Sequence, residues 1–169
     1  ALAGVLGLSK QTILYWFANK EALLEAVIDR SAQEISTALE EALVRAGGGW
    51  ARVEAVVRSV FRVAARRPEL LGLVREVSRL GPPAATRLTL ALEPLVERAC
   101  GFLQAEMDAG SMRRHEPRLL LLATYSAVIG MATEVEVMKA LGEEPDARSL
   151  VRRRNELLAL LRSALVVEG

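Results

Sequence analysis

The sequence predicts an all-α protein. Only 4% of its residues are aromatic while 51% are hydrophobic, and Leu, Ala, Val, Glu and Arg dominate. That mix favours helix over strand, because straight-chain side chains lose little rotamer freedom in a helix whereas strands select branched and aromatic ones. Apolar residues also recur at three- and four-residue spacings in segment after segment, and no stretch alternates apolar with polar residues as a half-buried strand does. A length of 169 residues suits a small head on a larger body and is ample for a core.

The elements follow in order. Ala1, Leu2, Ala3, Val5 and Leu6 form an apolar run with no capping residue before it, which reads as a chain that starts inside a helix. Gly7 can take the positive φ that ends that helix, and Ser9 can cap the next by accepting from its first free N–H groups. The second helix is short. Lys10, Gln11 and Thr12 fall in its first turn, Ile13, Leu14 and Phe17 bury one face, and Tyr15 and Trp16 lie on the flank. Asn19 can cap a third helix from Lys20 onward. In that helix Leu24, Ile28, Ile35, Leu39 and Leu43 trace one stripe from Glu21 to Ala46, and Gly47, Gly48 and Gly49 end it.

Trp50, Val53, Val57, Val60, Phe61 and Ala64 repeat the helical pattern up to Pro68, which suits the first turn of a further short helix running to Gly81-Pro82-Pro83. Residues Ala84 to Ala109 continue as helix with Pro94 inside, and a proline there removes a backbone bond and kinks or splits the helix. Gly110 closes it. Pro117 to Ala140 reads as a single, nearly all-round apolar helix, and Asp146 or Ser149 opens a last one carrying Arg152, Arg153 and Arg154. The total is about nine helices and no sheet.

Composition excludes several functions. A formal charge of +1 makes the whole chain a poor polyanion binder, so nucleic-acid contact must come from a local patch; residues 1–20 hold Lys10 and Lys20 and no acid. With one cysteine (Cys100) and one histidine (His115) there is no intrachain disulfide and no sensible zinc site, and no other metal motif or cofactor signature is present. Cys100 reads as a small buried apolar residue and His115 as a solvated one. The most apolar run, Leu119 to Ala132, is about 14 residues, short of the roughly 20 that span a bilayer. No leader pattern is seen, and a reducing cytoplasm is the expected home. No phosphate loop and no Ser-His-Asp set is visible, and Glu134 and Glu136 face opposite ways on a helix. A non-enzymatic protein is expected, with no catalytic residues.

Taken alone, the spacing from Gly7 to Lys20 fits an ordinary helical hairpin. Residue by residue, however, Gly7-Leu8-Ser9-Lys10-Gln11-Thr12-Ile13-Leu14-Tyr15-Trp16-Phe17-Ala18-Asn19-Lys20-Glu21-Ala22-Leu23 resembles the DNA-binding half of the tetracycline-repressor (TetR) family of transcriptional regulators. The commoner first tyrosine of the family pattern is Leu14 here, so the resemblance moves the tyrosine contact to Tyr15. It implies DNA contacts at Ser9, Lys10, Gln11, Thr12, Tyr15, Trp16 and Lys20. Ser9, Tyr15 and Lys20 suit phosphates, whereas Lys10, Gln11 and Thr12 suit base edges in a major groove. Trp16 either touches a thymine methyl or packs. Members of the family carry a further helix and a basic arm before this point, which agrees with a start inside a helix.

The resemblance also implies a division into a head at 1–30, with the start of a linking helix, and a ligand-binding and dimerisation body at 31–169. A homodimer is expected through the last two helices, at Leu121, Tyr125, Val128, Ile129, Leu157 and Leu161. The arginine run at 152–154 is either a solvated face or meets Glu143 or Glu144 of a partner. Phe61, Arg87, Phe102, Met107, Thr124, Tyr125 and Met131 are candidates for lining a cavity between the middle helices, although each fits plain core as well. The function so implied is a repressor that binds a palindromic double-stranded operator and is released by a small, largely apolar effector. The alternative is a helical homodimer that binds a small molecule or protein and no longer binds DNA.

Overall fold

The computed structural model describes Gly7 and residues 9–167. The apolar run before Gly7 lies outside the described residues, as does Leu8. The fold is all-α, with eight helices and no sheet among the described residues. They are α1 (Lys10–Trp16), α2 (Lys20–Arg45), α3 (Trp50–Arg66), α4 (Pro68–Leu80), α5 (Ala84–Asp108), α6 (Pro117–Thr133), α7 (Val135–Ala140) and α8 (Ala147–Leu165). Local chemistry sets most of the boundaries. Asn19 Oδ1 accepts from Ala22 N at 2.7 Å and starts α2, and Asp146 Oδ1 accepts from Ser149 N at 2.6 Å and starts α8. Pro68 and Pro117 occupy first turns, where a missing N–H costs nothing. Gly110, at φ 76°, lets the chain leave α5 in a conformation that a side chain would strain.

One expected helix is two. Residues 117–140 do not form a single rod: Glu134 leaves the helical region (φ −82°, ψ 71°) between α6 and α7. The cause is a side chain far away in sequence. Arg153 Nη1 of α8 donates to the Met131 carbonyl at 2.7 Å, the acceptor that the Val135 N–H would take in a continuous helix, and Glu134 is drawn to Arg75 of α4 at 2.6 Å. Pro94 has the opposite outcome. It deprives the Leu90 carbonyl of its partner, yet α5 continues through it from Ala84 to Asp108.

The core sits in three clusters. Val57 and Phe61 of α3 pack with Val128 of α6 and with Leu157, Leu158 and Leu161 of α8. Ile28 and Ala32 of α2 pack with Val74 and Val77 of α4 and Leu88 of α5. Leu103, Met107 and Met112 fill the far end of α5, where Arg113 N donates to Leu165 O at 2.8 Å and ties that turn to the end of α8. Ser59, buried in α3, spends its hydroxyl on the Ala38 carbonyl of α2 at 3.0 Å, so no buried side-chain polar atom among the described residues is left without a partner.

Helix α2 has 26 residues, about 39 Å at 1.5 Å per residue. It runs parallel to α5, and ion pairs mark the register. Arg87 reaches Asp29 (2.6 and 2.9 Å) and Glu25 (3.1 Å), and Arg98 reaches Glu40 at 2.7 Å. The hydrogen bond from Arg87, offset in part by desolvation, holds the Asp29 carboxyl below the ordinary carboxylate value. A lowered carboxylate pKa stabilises the folded state above the ordinary value and is lost as pH falls through the folded one. Amide exchange in the first turns of α5 should therefore quicken below about pH 4, and Asp29→Asn should show the quickened exchange already at neutral pH. Equal exchange in the two proteins at neutral pH would mean that the pair does not hold these helices together.

Candidate functional site

The first site is the α1 segment. Gly7 has φ 63°, and Ser9 caps α1, its Oγ accepting from Thr12 N at 3.0 Å. The Ser9 and Thr12 hydroxyls are also 2.8 Å apart, so these two side chains are tied to each other. Gln11, Thr12, Tyr15 and Trp16 are exposed, Tyr15 at 82% and Trp16 at 73%, while Ile13 and Phe17 are half-buried. The rings of Tyr15 and Trp16 meet edge to face at 5.3 Å. Two large aromatics outside the core are unusual in a chain this poor in them, and they stand beside the exposed polar groups of the same short helix. Leu14 is 47% exposed, more than expected of a packing residue. Lys20, exposed, begins α2 directly after the Asn19 cap. The backbone of Lys10 lies in the first turn of α1; its side chain is outside what the structure describes.

Two apolar cavities lie in the body. The smaller, about 250 Å³, lies among α2, α3, α5, α6 and the end of α8, with Leu39, Val56, Phe102, Leu120 and Thr124 in its wall. The larger, about 520 Å³, lies between α4, α5 and α6 with Ile35 of α2 and Val60 of α3 at its edge, and has Val74, Leu88, Leu92, Tyr125 and Ile129 in its wall. Leu95 and Leu121 line both and form the partition. Volumes of this order fall at or near the range of small-molecule sites. Burial raises the Tyr125 hydroxyl above its ordinary value, so it stays protonated and is available as a donor.

The expected cavity residues divide. Phe102, Thr124 and Tyr125 line a cavity. Phe61 and Met107 are core, 3% exposed each, and Met131 packs against the core cluster that holds Phe61. Arg87 lies on the outside, engaged with Asp29 and Glu25. Arg52, Arg98 and Leu95, not anticipated from periodicity, line the smaller cavity. Leu95 carried a signal in its place immediately after Pro94, whereas Arg52 and Arg98 look like ordinary solvated arginines in the sequence.

The expected dimer residues divide too. Val128, Leu157 and Leu161 are 5%, 0% and 8% exposed within a single chain, so they have no surface left for a partner. Leu121 and Ile129 line cavities. Tyr125, which also lines the larger cavity, is the one member of the set that is exposed, at 43%. The apolar surface of α6 and α8 consists of other residues: Leu119 (64%), Leu122 (57%) and Leu160 (60%). The arginine run is used inside the chain: Arg152 binds Glu143, and Arg153 binds the Met131 and Ser149 carbonyls. Arg154 donates to Asn155, and its guanidinium is pushed below its usual value by burial and by Arg58 and Arg62.

Among the described residues no cluster of His, Cys, Asp and Glu could hold a metal ion, and Glu134 and Glu136 are engaged separately with Arg75 and Lys139. His115 is exposed and Cys100 is half-buried rather than fully buried. Among the described residues no helix is long and apolar enough to cross a membrane.

No family model matches the chain, and no curated protein matches it in sequence. Solved structures do match its fold. A protein of unknown function from Rhodococcus sp. RHA1 superposes with a TM-score of 0.71 at 21% identity, covering 94% of this chain and 81% of that one. The fatty acid degradation regulator FadR from Bacillus halodurans superposes with a TM-score of 0.73 at 18% identity, covering 94% of this chain and 83% of that one. The chain therefore shares the all-helical fold of these two structures.

Proposed function

We propose that the protein is a sequence-specific, DNA-binding transcriptional regulator of the TetR type, acting in the cytoplasm as a homodimeric repressor that a small, largely apolar effector releases from a palindromic operator. One observation carries this reading. The exposed α1 segment leads through the Asn19 cap into α2, and the same uninterrupted helix supplies Leu39 and Leu43 to the smaller cavity and Ile35 to the larger. Ligand in either cavity bears on the helix that ends at the DNA-facing segment. The fold shared with FadR, a regulator, supports the same reading.

In this reading the head (1–30) and body (31–169) are joined by α2. An effector that fits only one position of α2 shifts the population towards it, and the spacing of the two recognition helices then no longer matches successive major grooves. Gln11 and Lys10 read bases, Thr12 supports them, and Ser9, Tyr15 and Lys20 hold phosphates, with Trp16 alongside.

Mobility shift against the protein's own upstream DNA, repeated at rising salt, is the test. A steep loss of affinity with salt and a palindromic footprint are expected. Lys10→Ala and Gln11→Ala should each cost about 1–3 kcal/mol on the preferred site and relax sequence choice, whereas Lys20→Ala should weaken all DNA alike. If Lys20→Ala changed sequence preference and the other two did not, the orientation of α1 in the groove would be wrong. Absence of any sequence-specific complex would leave the helical ligand-binding module instead.

A further inference from the structure

The charges around the two cavities are all of one sign. Among the described residues, Arg52 and Arg98 are the only charged side chains lining the smaller cavity and Arg118 the only one lining the larger; no carboxylate lines either. Arg98 and Arg118 are occupied by acids outside the cavities, Glu40 at 2.7 Å and Glu97 at 2.6 Å. Arg52 differs. It is exposed, its guanidinium carbon stands 5.5 Å from the centre of the Phe102 ring, and no carboxylate among the described residues pairs with it. Phe102 is itself a wall of the smaller cavity, so Arg52 is held at the rim with no hydrogen-bond or ion-pair partner among the described residues.

Behind that rim the walls are mostly apolar, with Thr124 in the smaller cavity and Ser78, Thr89 and Tyr125 in the larger, and they continue past the Leu95–Leu121 partition. Along α5 the smaller cavity is lined from Leu95 to Leu103 and the larger from Leu88 to Val96. The two together follow on the order of 20 Å of helix at 1.5 Å per residue. Phe102, beneath Arg52, lies at the end of this path away from the partition, and Arg98 lies between the two. Two leucines in contact with space on both sides can change rotamer far more readily than a backbone wall can move, and Pro94 next to Leu95 weakens α5 at the same level.

The geometry points to a single-chain amphiphile with an anionic head as the ligand: the head takes the free donors of Arg52 at the rim, and an unbranched tail runs through the smaller cavity and, when long enough, between Leu95 and Leu121 into the larger one. An apolar tail gains by leaving water, and a guanidinium binds a carboxylate through charge-assisted, often bidentate bonds that an alcohol or an amine cannot supply. This deepens the effector reading above, but its test needs no DNA.

Titration calorimetry on the purified full chain compares decanoate, 1-decanol and decylamine, and then the carboxylates from octanoate to hexadecanoate. Decanoate should bind about tenfold tighter than 1-decanol, the margin of a charge-assisted hydrogen bond, with decylamine weakest. Arg52→Gln, a change at an exposed position, should shrink the decanoate advantage to within about threefold while leaving 1-decanol binding as it was. Affinity should keep rising beyond decanoate in the native protein and stop rising in Leu121→Trp, where the partition is blocked. Circular dichroism checks that each variant is folded. If 1-decanol or decylamine bound as tightly as decanoate, if Arg52→Gln left the preference intact, or if none of the series bound, the proposal would be overturned. Decanoate binding that left a DNA complex undisturbed would uphold this ligand class and remove its role as the releasing effector.

Discussion

Leu157→Ala should lower the stability of the protein by about 2–5 kcal/mol, the range for truncating a fully buried leucine. Leu157 is 0% exposed and lies where α3, α6 and α8 meet, among Val57, Phe61, Val128, Leu158 and Leu161. Neighbours on α3, α6 and α8 itself cannot all close on the missing methyl groups, so a cavity remains and its cost adds to the lost transfer energy. A whole domain is stable by only about 5–15 kcal/mol, so the loss should be plain in a urea or thermal melt. A midpoint unchanged within error would mean that this cluster collapses around the gap and is not the rigid centre of the body.

Leu122→Glu should instead leave the fold intact and dissociate the proposed dimer. Leu122 is 57% exposed in the single chain, and with Leu119 at 64% and Leu160 at 60% it forms the apolar surface of α6 and α8. In a symmetric dimer the substitution places one unpaired carboxylate from each subunit in the interface, and desolvating such a group costs several kcal/mol. Sedimentation should show monomer with an unchanged circular dichroism spectrum. A variant that stayed dimeric and folded would move the interface to another face. The two substitutions separate what periodicity had merged: both positions lie on helices in the second half of the chain, but Leu157 supports the chain itself, whereas Leu122 is exposed at the edge of the larger cavity.

The α1 segment was legible because its signals are local. A glycine able to take positive φ, a serine cap three residues before Thr12 and an asparagine cap ahead of α2 each act within one turn of chain, and each is found where the residues place it. The exposure of Tyr15 and Trp16 could be anticipated from the narrow apolar stripe of so short a helix. The cavities were legible only in part. Phe102 and Phe61 are both aromatics at helical spacing, yet one lines a cavity and the other is sealed in the core. That difference depends on which neighbouring helix covers each, and no residue near either one in sequence encodes it. Arg87 and Arg52 show the same limit. The first is drawn into Asp29 and Glu25 by a helix fifty-eight and more positions earlier, and the second has no such acid opposite it among the described residues.

By itself the sequence determined the all-α class, the order of the elements, the caps and most helix ends, and the family likeness of residues 7–23. These rest on backbone propensity, apolar period and hydrogen bonds spanning three or four residues, which act wherever the segment finds itself. Only the tertiary structure decided that 117–140 breaks at Glu134, that α5 continues through Pro94, that Val128, Leu157 and Leu161 are spent on one chain's core, and that the charged residues lining two mostly apolar cavities are three arginines. Each of these depends on what a distant helix presents at the point of contact: a guanidinium to take the Met131 carbonyl, a leucine to close a gap, or empty space. Burial and pairing are properties of the packed neighbourhood, so an apolar stripe states that a face will be covered without stating by what.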